Sequence, residues 1–169
     1  MSQMGVRAAK QADLARLTEI YNHYVLNTPV TFDIDPYTVE KRQPWFDQFG
    51  ASGRYRLLVA EENGVLLGYA GTMRWRPKAA YDTTVETTIY CAPERVGKGI
   101  GRLLYAALFD ALRGEDVHRF VAGYTMPNAA TAAIHKRFGF KVVGVFTEVG
   151  RKFGRYWDVC WTERAANSH

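Results

Sequence analysis

Two cysteines, Cys91 and Cys160, are all that 169 residues hold. They come without a secretory leader pattern, so they give no grounds for a disulfide. With no CxxC and no cluster of His and Cys, no metal site is expected either. No apolar run approaches the roughly 20 residues of a membrane span. The opening MSQMGVRAAK lacks the apolar stretch of a signal peptide. A cytoplasmic protein without membrane contact is expected. The formal charge is +5, yet no run of five or more basic residues occurs, so nucleic acid is not expected as a partner. A small polyanion suits the basic residues near 95–102 and in RKFGRYWD. Repeats, low-complexity tracts and linkers are also missing. Residues 1–169 are therefore read as one domain, with about 165–169 as a disordered tail.

What is present is a succession of strand and helix signals. VRAA (6–9) reads as a short strand. Over residues 11–26, Leu14, Leu17, Ile20, Tyr21 and Tyr24 recur at three- and four-residue steps, which predicts an amphipathic helix. NTPVTFDIDP breaks it with two prolines. Residues 38–49 predict a second helix, with Thr38 as its N-cap. RLLVAEE and VLLGYAGTM flank Asn63-Gly64, the dipeptide that favours a tight hairpin. TTVETTIYCA (83–92) is β-rich. Leu104, Leu108, Ala111 and Leu112 mark one face of a helix that ends at Gly114. RFVAGYT predicts a strand, residues 128–138 a helix with Gly139 just past its end, and KVVGVFTEV and YWDVCWTE two final strands. The order β-α-α-β-β-β-α-β-α-β-β predicts an α/β fold with a mixed central sheet.

The most informative stretch is PERVGKGIGRLLYAAL (93–108), where Gly97, Gly99 and Gly101 fall at every second position before an apolar helix. Strand, Gly-x-Gly-x-Gly and helix outline a phosphate site. Backbone N–H groups point into the gap and the helix N-terminus adds partial positive charge. The reading as a mere tight turn stays open. A P-loop requires GxxxxGK[ST], whereas Arg102 and Leu103 follow Gly101; a dinucleotide GxGxxG requires glycine where Arg102 stands.

VGKGIGRLL after a strand resembles motif A of the GNAT N-acetyltransferases, Q/R-x-x-G-x-G/A. Taken with VRAAKQADLARLTEIYNHYVLNTPVTFD, TVETTIYCAPE, NAATAAIHKRFGF and VGRKFGRYWDV, nearly the whole chain resembles the phosphinothricin and methionine sulfoximine acetyltransferase branch. The resemblance implies a GNAT fold and acetyl-CoA as acetyl donor. It implies direct transfer, within a ternary complex, to the α-amine of a small amino acid or analogue, and a homodimer. The first motif position, usually Gln or Arg, is Val96 here. In the family most pyrophosphate contacts come from backbone N–H groups, so Val96, Gly97, Lys98, Gly99, Ile100, Gly101 and Arg102 are the expected pyrophosphate segment, with Arg95 as a partial substitute for the missing side chain.

Amine acetylation requires a base for the ammonium proton. Glu86 is a carboxylate amid Val and Thr in TVETTIY, an unusual place for one, and strand alternation leaves an outward, solvated Glu86 equally open. The resemblance makes Glu86 the general base. Asn128, Thr131 and His135 share a helix face. Asn128 is a natural N-cap; by resemblance it and Thr131 also meet the pantetheine arm. His135 stands where many family members carry a thiolate-protonating tyrosine, and a structural histidine is the alternative. Ile89, Tyr90 and Cys91 are implied to contact the donor through their main chains. Arg74 and Arg76 suit a carboxylate or phosphinate, with solvated loop arginines as the alternative. Tyr81 and Phe32 join them as acceptor candidates. KFGRYWD (152–158) resembles a segment that reaches a partner's site in dimers. Acetylation of another amine (a protein N-terminus or a polyamine) and a non-enzymatic CoA-binding regulator are the competing readings.

Overall fold

The computed structural model of the chain describes residues 4–167. Seven strands form one sheet: β1 (Gly5–Ala8), β2 (Leu57–Glu62), β3 (Val65–Arg74), β4 (Thr84–Cys91), β5 (Arg119–Thr125), β6 (Lys141–Lys152) and β7 (Arg155–Ala165). Their spatial order is β1-β2-β3-β4-β5-β7-β6. Helices α1 (Leu14–Asn27), α2 (Val39–Phe46), α3 (Ile100–Ala111) and α4 (Ala129–Arg137) complete the succession read from the sequence. All neighbouring strands are antiparallel except β4 and β5. A parallel pair needs a crossover connection, and α3 supplies it.

The helices divide between the two faces. Leu17 and Ile20 of α1 and Trp45 of α2 pack on Val59 and Tyr69. On the other face, Ile100, Leu104 and Leu108 of α3 and Ile134 of α4 pack on Leu58, Ala70 and Val85. The apolar spacing of each helix thus finds one face of a sheet whose strands alternate inward and outward.

Local chemistry sets the element ends. Asn63 and Gly64 take φ of 52° and 78°, the double positive-φ turn that joins β2 to β3. Thr38 caps α2 by accepting from the Lys41 N–H. Helix α2 stops at Phe46 rather than 49, because the chain tightens there into i→i+3 bonds, Gln48 N to Trp45 O and Phe49 N to Phe46 O. Strands β6 and β7 run further than expected and meet at Phe153 and Gly154, with φ of 53° and 73°. Phenylalanine is a poor signal for a positive-φ turn, so the charged RKFGRY stretch reads as a loop from sequence. Strand β7 extends to Ala165, and the Ala166 N–H donates to the His118 carbonyl at 3.0 Å. The tail expected from about residue 165 therefore does not begin there; residues 168–169 lie outside the described residues.

One departure from regular pairing positions the site. Strands β4 and β5 pair at Thr84–Arg119, Val85–Phe120 and Glu86–Val121, and no further. Beyond Glu86, β4 stays on β3 as far as Cys91, while β5 stays on β7 as far as Thr125. A wedge opens between the two strands. Helix α3 follows β4 and α4 follows β5, so both helix N-termini stand at its mouth.

Candidate active site

The glycines of the loop have two separate reasons. Gly97 and Gly99 take φ of 83° and 77° with nothing within 4 Å of where a Cβ would stand. Gly99 is the N-cap of α3, so the first-turn N–H groups of the helix face outward beside this open backbone. Gly101 lies inside the helix, and a Cβ there would come 3.1 Å from Ile134 Cδ1 and 3.3 Å from Ile89 Cδ1. It lets α3 approach β4 and α4 closely. Val96 is 60% exposed and buries nothing. Lys98 and Arg102 are exposed beside the loop, and Ile100 is anchored in the core.

Strand β4 turns two faces. Val85, Thr87, Ile89 and Cys91 face α3 and α4; Glu86, Thr88 and Tyr90 face α1 and α2. Glu86 stands at the last paired position before the wedge. It has no hydrogen-bond or ion-pair partner among the described residues, and burial pushes its carboxyl above the usual carboxylate range. Tyr90 packs edge-on against Tyr21 at 5.2 Å, and burial pushes its phenol up to about 12. The Cys91 carbonyl accepts from the Tyr24 hydroxyl. The Cys91 thiol is pushed up by burial, with the Gly101 N–H opposing, so a nucleophilic thiolate is disfavoured.

Asn128 caps α4: its Oδ1 accepts from the Thr131 N–H at 3.0 Å. Both residues are half-buried at the wedge mouth. His135 lies one turn deeper and is 3% exposed. It stacks on Phe140 at 5.0 Å and bonds Thr162 Oγ1 through Nδ1 at 3.1 Å and Tyr105 OH through Nε2 at 3.4 Å. Burial lowers its pKa to about 4, so it is neutral at pH 7. That environment favours the structural alternative for His135.

The acceptor candidates separate. Arg74 is exposed and already committed, donating to Asp82 Oδ1 at 3.0 Å and to the Pro77 carbonyl at 2.8 Å. The Arg76 guanidinium lies over Trp75, 4.5 Å from its ring centroid. Tyr81 stacks edge-on with Trp75. All three belong to the rim of the β3–β4 loop. Phe32 sits under the β6–β7 hairpin, where a Cβ on Gly150 would fall 2.1 Å from its ring. The neighbouring Lys152 is 4% exposed and donates to the Thr31 carbonyl at 2.8 Å. The hairpin tip is thus bound to the 28–38 segment of its own chain.

Sequence reasoning missed the cavity between these parts. About 250 Å³ opens on the Glu86 face, walled by Arg42, Trp45, Tyr69, Met73, Thr88 and Tyr90. Met73 pairs directly with Glu86 across the sheet, and Thr88 is the next residue on the same face. Nothing in the sequence singles out Arg42 within the helix expected over residues 38–49. A larger concavity of about 750 Å³ lies around the C-terminus of α3, at the opposite end of that helix from the glycine loop.

Comparison with known proteins agrees with this layout. A protein-family model described as an acetyltransferase (GNAT) domain matches residues 6–161. A phosphinothricin N-acetyltransferase of Streptomyces coelicolor is 54% identical over 165 residues, 96% of each chain. An L-methionine sulfoximine/L-methionine sulfone acetyltransferase of Salmonella typhimurium is 39% identical, over 98% of this chain and 96% of that one. Among solved structures, a Sinorhizobium meliloti phosphinothricin acetyltransferase of the GNAT superfamily, in complex with acetyl-CoA, superposes with a TM-score of 0.90 at 32% identity, over 96% of this chain and 88% of that one. With most of its length matched by the family model and with this wedge and glycine loop, the chain belongs to the GNAT acetyltransferase family.

Proposed function

We propose that this protein transfers an acetyl group from acetyl-CoA to the α-amine of a small amino acid or analogue of the phosphinothricin, methionine sulfoximine or methionine sulfone type. Transfer is direct, within a ternary complex. The observation that carries this reading is the partnerless, half-buried Glu86 between an open glycine loop and a small cavity.

The residues present fit the donor. The N–H groups of residues 96–102 hold its pyrophosphate, with the positive end of α3 behind them and the Lys98 and Arg102 side chains beside them. Open space where a Cβ would stand at Gly97 and Gly99 admits phosphate against the backbone. Main-chain groups of Ile89, Tyr90 and Cys91 line the β4 side of the wedge; Asn128 and Thr131 meet the pantetheine arm from α4. When bound, acetyl-CoA supplies an activated thioester. Glu86 takes the amine proton, directly or through water, and its raised pKa makes it a stronger base than a solvated carboxylate. Arg74, Arg76, Tyr81 and Phe32 border the entrance to the acceptor cavity.

A cytoplasmic homodimer belongs to the same reading. Its support is β6, an edge strand with Val142, Val143, Val145, Phe146 and Val149 each at least 47% exposed. An edge this long and apolar is a poor surface to leave in water.

The decisive experiment follows thiol release from acetyl-CoA across a panel of amino acids, polyamines and peptide N-termini. Turnover with zwitterionic amino acids above the other amines is expected. Release with none of them, by protein that binds acetyl-CoA, would overturn the enzymatic reading in favour of a CoA-binding regulator.

A further inference from the structure

The cavity on the Glu86 face contains a cation without an anion. Arg42 is 6% exposed, its Nε has no hydrogen-bond acceptor, and no carboxylate pairs with it among the described residues. Its guanidinium carbon lies 3.9 Å from the centroid of Tyr21 and 3.9 Å from that of Trp45. Cation–π contact with those rings compensates part of its lost hydration. They leave the edge of the guanidinium, where its N–H groups lie, unmatched. The Tyr69 hydroxyl in the same wall is fully buried beside the Arg42 guanidinium and has no acceptor for its own proton. Asp33 lines the cavity but accepts from the Tyr21 hydroxyl and makes no ion pair with Arg42. Buried charges are ordinarily paired, and buried hydroxyls hydrogen-bonded. A buried cation with no carboxylate, beside a hydroxyl with no acceptor, offers donors that suit an anionic group.

We propose that the edge of Arg42 holds the α-carboxylate of the acceptor, making Arg42 the specificity-determining residue of this site. The inference rests on the acetyl transfer proposed above. A planar guanidinium held between aromatic neighbours can present its N–H fork in the plane a carboxylate needs. The Tyr69 hydroxyl donates to the same carboxylate. Strand geometry then fixes the amine. Thr88 lies on the cavity wall, and Glu86 stands about 7 Å along the same face of β4. A zwitterion anchored at Arg42 points its α-amine toward Glu86, and its side chain lies among Trp45, Tyr90 and Met73. The volume of about 250 Å³ suits a small amino acid. Arg74, paired with Asp82, and Arg76, stacked on Trp75, are left at the rim.

The test compares L-methionine sulfone with its carboxamide, which lacks the negative charge. The parent protein should favour the acid by at least about tenfold in kcat/KM. Arg42→Gln should raise KM for the acid by about tenfold to a hundredfold, the range for a lost charge-assisted bond, and raise it by a clearly smaller factor for the amide. The preference for the acid then collapses. Loss of packing alone would weaken both acceptors together. Arg42→Lys, which keeps the charge, should retain part of the preference if the glutamine variant does not fold. An acid-to-amide ratio near one in the parent, or an unchanged ratio in folded Arg42→Gln, would overturn the proposal. Calorimetric binding of the same two compounds to the parent tests Arg42 without turnover. Acid binding that exceeds amide binding with no thiol released would sustain Arg42 while the transferase reading fails.

Discussion

Glu86 and His135 are both buried titratable groups, and their pKa shifts lead to opposite expectations. Burial raises the Glu86 pKa, so the native state holds that proton more tightly than the unfolded chain. Its ionisation opposes folding, and the stability it removes is lost as pH rises above the ordinary carboxylate value of about 4.3. Glu86→Gln should therefore leave the melting temperature at pH 7 equal or higher while kcat/KM falls about 10²–10⁴-fold, the range for a positioned base. Rising pH should partly restore the rate, because more of the amine is then already free. A stable variant whose pH–rate profile overlays that of the parent would remove Glu86 from the proton transfer. His135 has its pKa lowered from 6.5 to about 4 by burial. Its neutral form stabilises the fold fully above about pH 6.5, and that contribution, about 3 kcal/mol, is lost as pH falls toward 4. His135→Gln should flatten this part of the urea midpoint against pH and cost little in kcat, since a thiol of pKa about 8.5 departs without much help. A large kcat loss in the folded variant would return His135 to the chemistry.

At the scale of the element, α3 performs two tasks from one short stretch. Gly99 is held at φ 77° with open space around its missing side chain. Gly99→Val should keep the fold, because nothing is struck, yet weaken acetyl-CoA binding sharply through strain and intrusion at the phosphate face. Calorimetry showing unchanged affinity would reduce the loop to a turn. The glycine spacing made this element legible in the sequence, as Asn63-Gly64 did for the first hairpin. Periodicity also placed α1 and α3, because each buries one apolar stripe, whereas α4 is marked by its ends, Asn128 and Gly139. What escaped depends on contacts between distant segments. Arg42 becomes remarkable only when Tyr21 and Trp45 close over it. The hairpin tip is fixed by Gly150 on Phe32, more than a hundred residues apart, a contact no local signal encodes. Arg74 and Arg76, by contrast, are conspicuous in sequence, and in the structure one pairs with Asp82 and the other lies over Trp75.

For the whole molecule, the sheet ends on one side in β6, whose outward residues are apolar over most of its length. Phe146→Glu should shift the protein from dimer to monomer in light scattering; a dimer of unchanged affinity would move the interface elsewhere. Between the two edges, the sheet is continuous through three residue pairs at its centre, ending at Glu86–Val121. On one side of that seam stand four strands, on the other three, each group internally laddered. Mechanically the protein is closer to two plates on a short hinge than to one slab. The donor, seated in the wedge as proposed, would bridge both plates, with main-chain groups of β4 on one side and Asn128 and Thr131 of α4 on the other. The consumed donor is then also a temporary structural member. On that reading each reaction cycle would remove a brace from the sheet and the next donor would replace it, tying turnover to stiffening and release.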